Sequence, residues 1–178
     1  YIMALTKTPV CDFGKKALDF KLKSIDNKFI TLDDIKGDKA TLIMFICNHC
    51  PYVKAIIKDL TKDCNELRKE GINSVAIMSN DSKNYLEDSF ENMVKFAKSN
   101  NFGKTNYLID ETQEIAKKYG AVCTPDFFGY DKNLELQYRG RYKELKDLKS
   151  LNNEDSDLKI AMKIIGQTQK GPDEQIPS

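Results

Sequence analysis

Ala40-Thr41-Leu42-Ile43-Met44-Phe45-Ile46 is apolar throughout except for Thr41, the pattern of a strand covered on both faces of a sheet. Further on, Val53, Ile56, Ile57, Leu60, Cys64 and Leu67 recur at helical spacing, which predicts a long helix with one core-facing stripe, closed by Gly71. Between these two elements lies Cys47-Asn48-His49-Cys50-Pro51, with Pro51 suited to a first helical turn, where its missing N–H costs nothing.

Upstream, residues 1–18 carry little periodicity and read as an irregular leader containing Cys11. Phe20 to Ser24 alternates, Asp26-Asn27 offers a turn and Phe29-Ile30-Thr31 follows, which predicts a β-hairpin. Leu32 to Ile35 reads as one helical turn ended by Gly37. Downstream, Ile72 to Met78 predicts a second buried strand, and Ser79 to Ser82 a loop and helix cap. A helical stripe follows through Leu86, Phe90, Met93, Val94 and Ala97. Tyr107 to Ile109 predicts a strand and Glu111 to Tyr119 a helix stopped by Gly120. Thr124-Pro125 leads into a strand at Phe127 to Tyr130, a turn at Asp131 to Asn133 and a return strand from Leu134 to Arg139. Leu158, Ala161, Met162 and Ile165 form one face of a final helix. Strands alternating with helices and ending in a hairpin predict an α/β fold with a central mixed sheet flanked by helices.

Length changes this picture only by limiting it. The 178 residues suffice for one core, so a single domain is expected over 1–165, followed by a mobile tail over 166–178. Charged residues make up 31% of the chain but nearly cancel, to a formal net charge of +1, which removes any global electrostatic argument for nucleic acid or an acidic membrane. No apolar run approaches the roughly 20 residues of a membrane span, and the N-terminus lacks the blocks of a signal peptide. A cytoplasmic protein is therefore expected. Tyr1 and Ile2 ahead of Met3 suggest additions to the natural start or a removed upstream segment. Five cysteines with one close pair fit a reducing compartment better than a disulfide-stapled fold.

The close pair carries the candidate chemistry. At a strand-to-helix junction, free N–H groups and the helix dipole favour a thiolate, so Cys47 is expected as the exposed nucleophile and Cys50 as the resolving thiol of reversible disulfide exchange. His49, when protonated, would lower the pKa of Cys47 further. A buried structural pair and half of a zinc site are the competing readings, and a chain with one histidine and no second close pair supplies no complete zinc site. A Cu(I) site made of Cys47, Cys50 and His49 is an alternative from another class. No metal and no cofactor beyond the Cys47–Cys50 disulfide are expected. Cys64 and Cys123 read as core residues, with Cys123 pointing away from the pair by strand alternation. Tyr52, Phe127 and Phe128 are candidates for an apolar rim, Asp126 for a solvated loop residue or a proton acceptor, and Arg139 and Arg141 for solvated strand ends.

The stretch from Phe20 through Leu32-Asp33-Asp34-Ile35-Lys36-Gly37 to Phe45-Ile46-Cys47, with Cys47-Asn48-His49-Cys50-Pro51-Tyr52-Val53 and Thr124-Pro125-Asp126-Phe127-Phe128, resembles the thioredoxin-like superfamily. Within it the chain is similar to the redoxin branch, of alkyl hydroperoxide reductase/thiol-specific antioxidant type, over about residues 10–142. The resemblance implies a thioredoxin-like fold with an N-terminal β-hairpin extension. It also implies a protein or small-molecule disulfide as substrate and an electron donor that recycles the pair. Read alone, Pro125 opens a strand as an ordinary trans proline; the resemblance implies a cis bond, with Thr124 and Pro125 binding substrate opposite the pair. Peroxiredoxins place a proline seven residues and a hydroxyl residue three residues before the reactive cysteine. Here Ala40 and Met44 hold those places relative to Cys47, and Ile43 and Cys47 relative to Cys50, which speaks against direct peroxide reduction, the alternative activity of the same pair.

Overall fold

The computed structural model describes residues 12–178, so Cys11 and most of the expected leader lie outside the described residues. In chain order the elements are β1 (Lys21–Ser24), β2 (Phe29–Thr31), α1 (Leu32–Ile35), β3 (Ala40–Phe45), α2 (Pro51–Arg68) and β4 (Ile72–Met78). A 3-10 turn (Leu86–Asp88), α3 (Phe90–Ser99), β5 (Asn106–Ile109), α4 (Glu114–Tyr119), β6 (Asp126–Asp131) and β7 (Leu136–Tyr138) follow. A small hairpin of β8 (Leu145–Lys146) and β9 (Lys149–Ser150) precedes α5 (Asp157–Thr168).

The sheet has seven strands in the order β2-β1-β5-β4-β3-β6-β7. At its centre β3 runs parallel to β4 and antiparallel to β6, so the sheet is mixed. All six residues of β3 are buried, which explains why its sequence is apolar on both faces. Leu42 and Met44 join the core formed with α2, α3 and α5, while Ile43 and Phe45 join the core formed with α1 and α4. The hairpin of β1 and β2 extends this sheet through the antiparallel pairing of β1 with β5. The expected α/β fold with an N-terminal hairpin is the one observed. No helix among the described residues is long and apolar enough to cross a membrane.

Several boundaries differ from the sequence reading. The cap of α3 is Ser89, whose side chain accepts from the Asn92 N–H, and not the Ser79–Ser82 segment; Leu86 therefore lies before the helix and is exposed. Helix α4 starts at Glu114 because Gln113 takes a left-handed conformation and the Asp110 carboxylate accepts from the N–H groups of Ile115 and Ala116. Helix α5 runs to Thr168, past the expected end of the domain at residue 165. Where a mobile tail is expected from residue 166, the segment beyond α5 lies along β7: Gln175 bonds Gln137 and Arg139, and Ile176 O accepts from the Arg141 N–H.

Gly37 is not a helix cap. A Cβ there would stand 2.1 Å from Ala40 O and 2.8 Å from Asn73 N, both backbone atoms that cannot rotate away. Gly37→Ala is therefore expected to destabilise the fold by about 2–3 kcal/mol, read as a fall in the urea midpoint.

Candidate active site at the end of strand β3

Strand β3 ends at Phe45, and the Ile46 N–H still bonds Ile77 O at 3.0 Å, carrying the ladder with β4 one residue further. The chain then turns, and helix α2 begins at Pro51 with Cys50 as its N-cap. The sequence places Cys47 at the helix mouth; the structure places Cys50 there, because the loop of Cys47 to Cys50 adds no helical turn of its own.

A clamp holds this loop from the far side. The Asp88 carboxylate is fully buried and accepts from the Asn48 N–H at 2.8 Å and from Asn80 Nδ2 at 2.9 Å. His49 Nδ1 lies 2.6 Å from the same carboxylate, and the imidazole stacks on Tyr85. Asn48 donates to Glu87 O at 3.0 Å and accepts from the Tyr107 hydroxyl at 2.8 Å. Sequence reasoning missed Asp88, Asn48, Asn80 and Tyr107 as parts of the site. Asp88 directly precedes Ser89, the cap of α3, but the sequence reading placed that cap at Ser79–Ser82, so Asp88 gave no signal. Asn48→Ala leaves the buried Tyr107 hydroxyl without its acceptor and should cost about 1–3 kcal/mol, measured by denaturant unfolding.

The expected cysteines and the Thr124–Pro125 pair do come together. Cys47 Sγ lies 3.5 Å from Thr124 Oγ1, and Cys50 Sγ lies 3.4 Å from Thr124 O. The Thr124–Pro125 peptide bond is cis. Both thiols are buried, at 1% and 2% exposure, which corrects the expectation of an exposed Cys47. They are nevertheless not sealed in hydrocarbon, since both line a cleft of about 940 Å³ together with Tyr52, Thr124, Pro125 and Tyr142.

Both cysteines are free thiols, and the two neighbouring sulfurs compete for one proton. Cys50 is pushed down to about 5, first by the Cys47 thiol and then by the backbone N–H groups of Val53 and Tyr52 at the start of α2, against its burial. Cys47 is pushed up, by its neighbour Cys50, by burial and by the Asp88 charge. The thiolate expected on Cys47 therefore rests on Cys50, the sulfur nearer the helix. The proposed lowering of Cys47 by His49 meets a counterweight that was not visible in the sequence, the carboxylate to which His49 is bonded. Thr124 also supports the other placement of the proton. Its hydroxyl can donate to a Cys47 thiolate while its carbonyl accepts from a Cys50 thiol.

The remaining candidates move. Cys123 faces the same cleft rather than away from it, because strand β6 starts only at Asp126 and alternation does not govern the residues before it. Its thiol is pushed up to about 12, first by burial and then by the Asp126 carboxylate. Asp126 and Arg139 are both buried, paired at 2.9 Å, with the guanidinium 4.4 Å over the Phe128 ring, so neither is a solvated residue. Arg141 pairs with Asp157 at 2.6 Å. Phe127 and Phe128 belong to the core on opposite faces of the sheet, and only Tyr52 of the three aromatic candidates borders the cleft.

Compared with known proteins, the chain matches the AhpC/TSA family over residues 13–139. No curated protein matches it. Among solved structures, an uncharacterized conserved protein from Geobacillus kaustophilus is 38% identical, with a TM-score of 0.88 over 97% of this chain and 92% of that one. A hypothetical protein from Sinorhizobium meliloti is 34% identical, with a TM-score of 0.88 over 97% and 94%. The thioredoxin domain of a thiol-disulfide oxidoreductase from Bacteroides vulgatus shares the fold at 16% identity, with a TM-score of 0.61 over 73% and 89%.

Proposed function

Since the chain belongs to the AhpC/TSA family of thioredoxin-like redox proteins, we propose that it exchanges thiols and disulfides through Cys47 and Cys50. The observation that carries this reading is the pair of neighbouring thiols facing Thr124 at the floor of an open cleft; the Cys47 thiol, and after it the N–H groups at the start of α2, lower the pKa of Cys50.

In the reducing direction the Cys50 thiolate takes the Cys47 proton, and Thr124 receives the exchange with its hydroxyl towards Cys47 and its carbonyl towards Cys50. Cys47 attacks one sulfur of the substrate disulfide, forming a mixed disulfide and releasing one substrate thiolate. Cys50 gives up its proton to solvent and attacks Cys47 Sγ, closing the Cys47–Cys50 disulfide and releasing the second thiolate. Two electrons pass to the substrate, and a dithiol donor returns them to the pair. The low pKa of Cys50 serves both directions, as resolving nucleophile here and as leaving group when the pair oxidises a dithiol. A protein or small-molecule disulfide suits a cleft of this size. The scattered free thiols favour a reducing compartment such as the cytoplasm.

Direct peroxide reduction is the second reading, and one observation favours it: a hydroxyl, from Thr124 rather than from the residue three before Cys47, does stand 3.5 Å from Cys47 Sγ. Stopped-flow oxidation of the reduced protein separates the two. Exchange predicts rapid single-turnover reduction of a model disulfide and slow oxidation by low hydrogen peroxide. Fast peroxide oxidation with an inert disulfide reaction overturns the exchange reading.

A further inference from the structure

Cys47 Sγ, a ring nitrogen of His49 and a carboxylate oxygen of Asp88 all lie within 4.8 Å of one another. They come from two separate pieces of chain, the loop between β3 and α2 and the 3-10 turn before α3. We propose that in the dithiol state these three side chains bind one borderline divalent cation, zinc, with Cys50 beside the open fourth position.

The donor set argues for this ion. One sulfur, one imidazole nitrogen and one carboxylate oxygen suit zinc, whereas Cu(I) disfavours the carboxylate and magnesium or calcium selects oxygen. The Cu(I) alternative drew on Cys47, Cys50 and His49; Asp88, a hard donor beside them, shifts the set towards zinc. Neighbouring ligands of one tetrahedral zinc stand roughly 3.3–3.7 Å apart for bonds of about 2.0–2.3 Å. The 2.6 Å contact between His49 and Asp88 is shorter than that, and the 4.8 Å limit of the cluster is longer. Ring and carboxylate thus part by about 1 Å while the sulfur closes by a similar amount. Asp88 is already oriented by the Asn48 N–H and Asn80 Nδ2, the kind of outer hydrogen bonds that hold a metal-binding carboxylate.

Binding is a proton-for-metal exchange without oxidation: the Cys47 proton leaves to solvent, and the His49 nitrogen that binds gives up any proton it carries. Closing the Cys47–Cys50 disulfide removes the thiolate ligand and expels the ion. Zinc and a substrate disulfide therefore compete for the same sulfur.

The site needs a reduced, reachable Cys47, as exchange also does, so the two are measured separately. Reduced, metal-free protein titrated with zinc chloride against a chromophoric chelator should take up one equivalent. Asp88→Asn and His49→Gln should each weaken uptake at least about tenfold, and oxidation to the disulfide should abolish it. Cobalt(II) in the reduced protein should show tetrahedral ligand-field bands with thiolate charge transfer. Absence of stoichiometric uptake overturns the proposal. Uptake that both variants leave unchanged also overturns it, since the two thiols alone would then chelate the ion. Thermal melts establish that the variants are folded, and His49, whose side chain is 29% exposed, keeps the comparison open should Asp88→Asn fail to fold. Disulfide reduction by the metal-free protein is run alongside: if it fails while zinc binds, only the exchange reading falls, and if it proceeds without zinc uptake, only the zinc site falls.

Discussion

Cys47→Ser is expected to lower disulfide reduction by on the order of 10³-fold or more, because a hydroxyl beside a buried thiolate cannot replace the sulfur that forms the mixed disulfide. Cys50→Ser is expected to have a different phenotype, in which substrate joins Cys47 but is not released. About one equivalent of mixed disulfide should then accumulate, visible as a mass increase that a reductant removes. The lowered pKa of Cys50 gives this assignment a competitor. If Cys47→Ser accumulates the adduct and Cys50→Ser does not, the two roles are exchanged, and the α2 amides then activate the attacking sulfur instead of the resolving one.

The second large effect is on pH. With Cys50 pushed down to about 5, alkylation of the reduced protein should rise through pH 5 and level off well below the pH at which an ordinary cysteine, with a pKa of about 8.5, becomes reactive. Stability is coupled to the same ionisation. A thiol whose folded-state pKa is depressed contributes stability that is fully present above its unfolded pKa and is lost as pH falls through the folded value. Cys50 thus stabilises the dithiol form progressively between about pH 5 and the unfolded pKa of about 8.5. Cys47 acts oppositely: its raised pKa withholds ionisation that the unfolded chain gains, so the dithiol form loses stability above that same unfolded pKa. Equilibration with a glutathione buffer at several pH values checks this. The disulfide should become progressively easier to reduce, relative to an unperturbed dithiol, from pH 5 to about 8. An invariant difference would mean that neither the Cys47 thiol nor the start of α2 depresses the pKa of Cys50.

Much of the fold was legible because β3 and α2 announce themselves through burial. A run of seven residues apolar but for Thr41 fits a strand inside a sheet, a single stripe at helical spacing fits a helix on its face, and the cysteine pair had to fall between them. The clamp was not legible for the opposite reason. Asn48 and Asp88 lie 40 residues apart, with α2 and β4 between them, and nothing in either residue's neighbourhood shows that the two meet. Asp126 and Arg139 misled in the same way: each reads as a surface charge, and only their pairing across β6 and β7, over Phe128, makes their burial tolerable. The displaced cap of α3 shows a subtler failure. Leu86 has the right spacing to extend the stripe of Phe90, Met93 and Ala97, so periodicity alone could not see that Ser89 ends the turn before it and starts the helix.

The path of the last residues has a practical outcome for handling the protein. Ile176 is tied to Arg141, and Pro177 and Ser178 stand at the rim of the opening that leads to the sulfurs. Whatever is joined to the chain at Ser178 emerges beside that doorway and crowds large clients more than small reagents. Reduction of a protein disulfide and of a small disulfide, each measured with and without a bulky group joined at Ser178, would show whether a large client notices the difference.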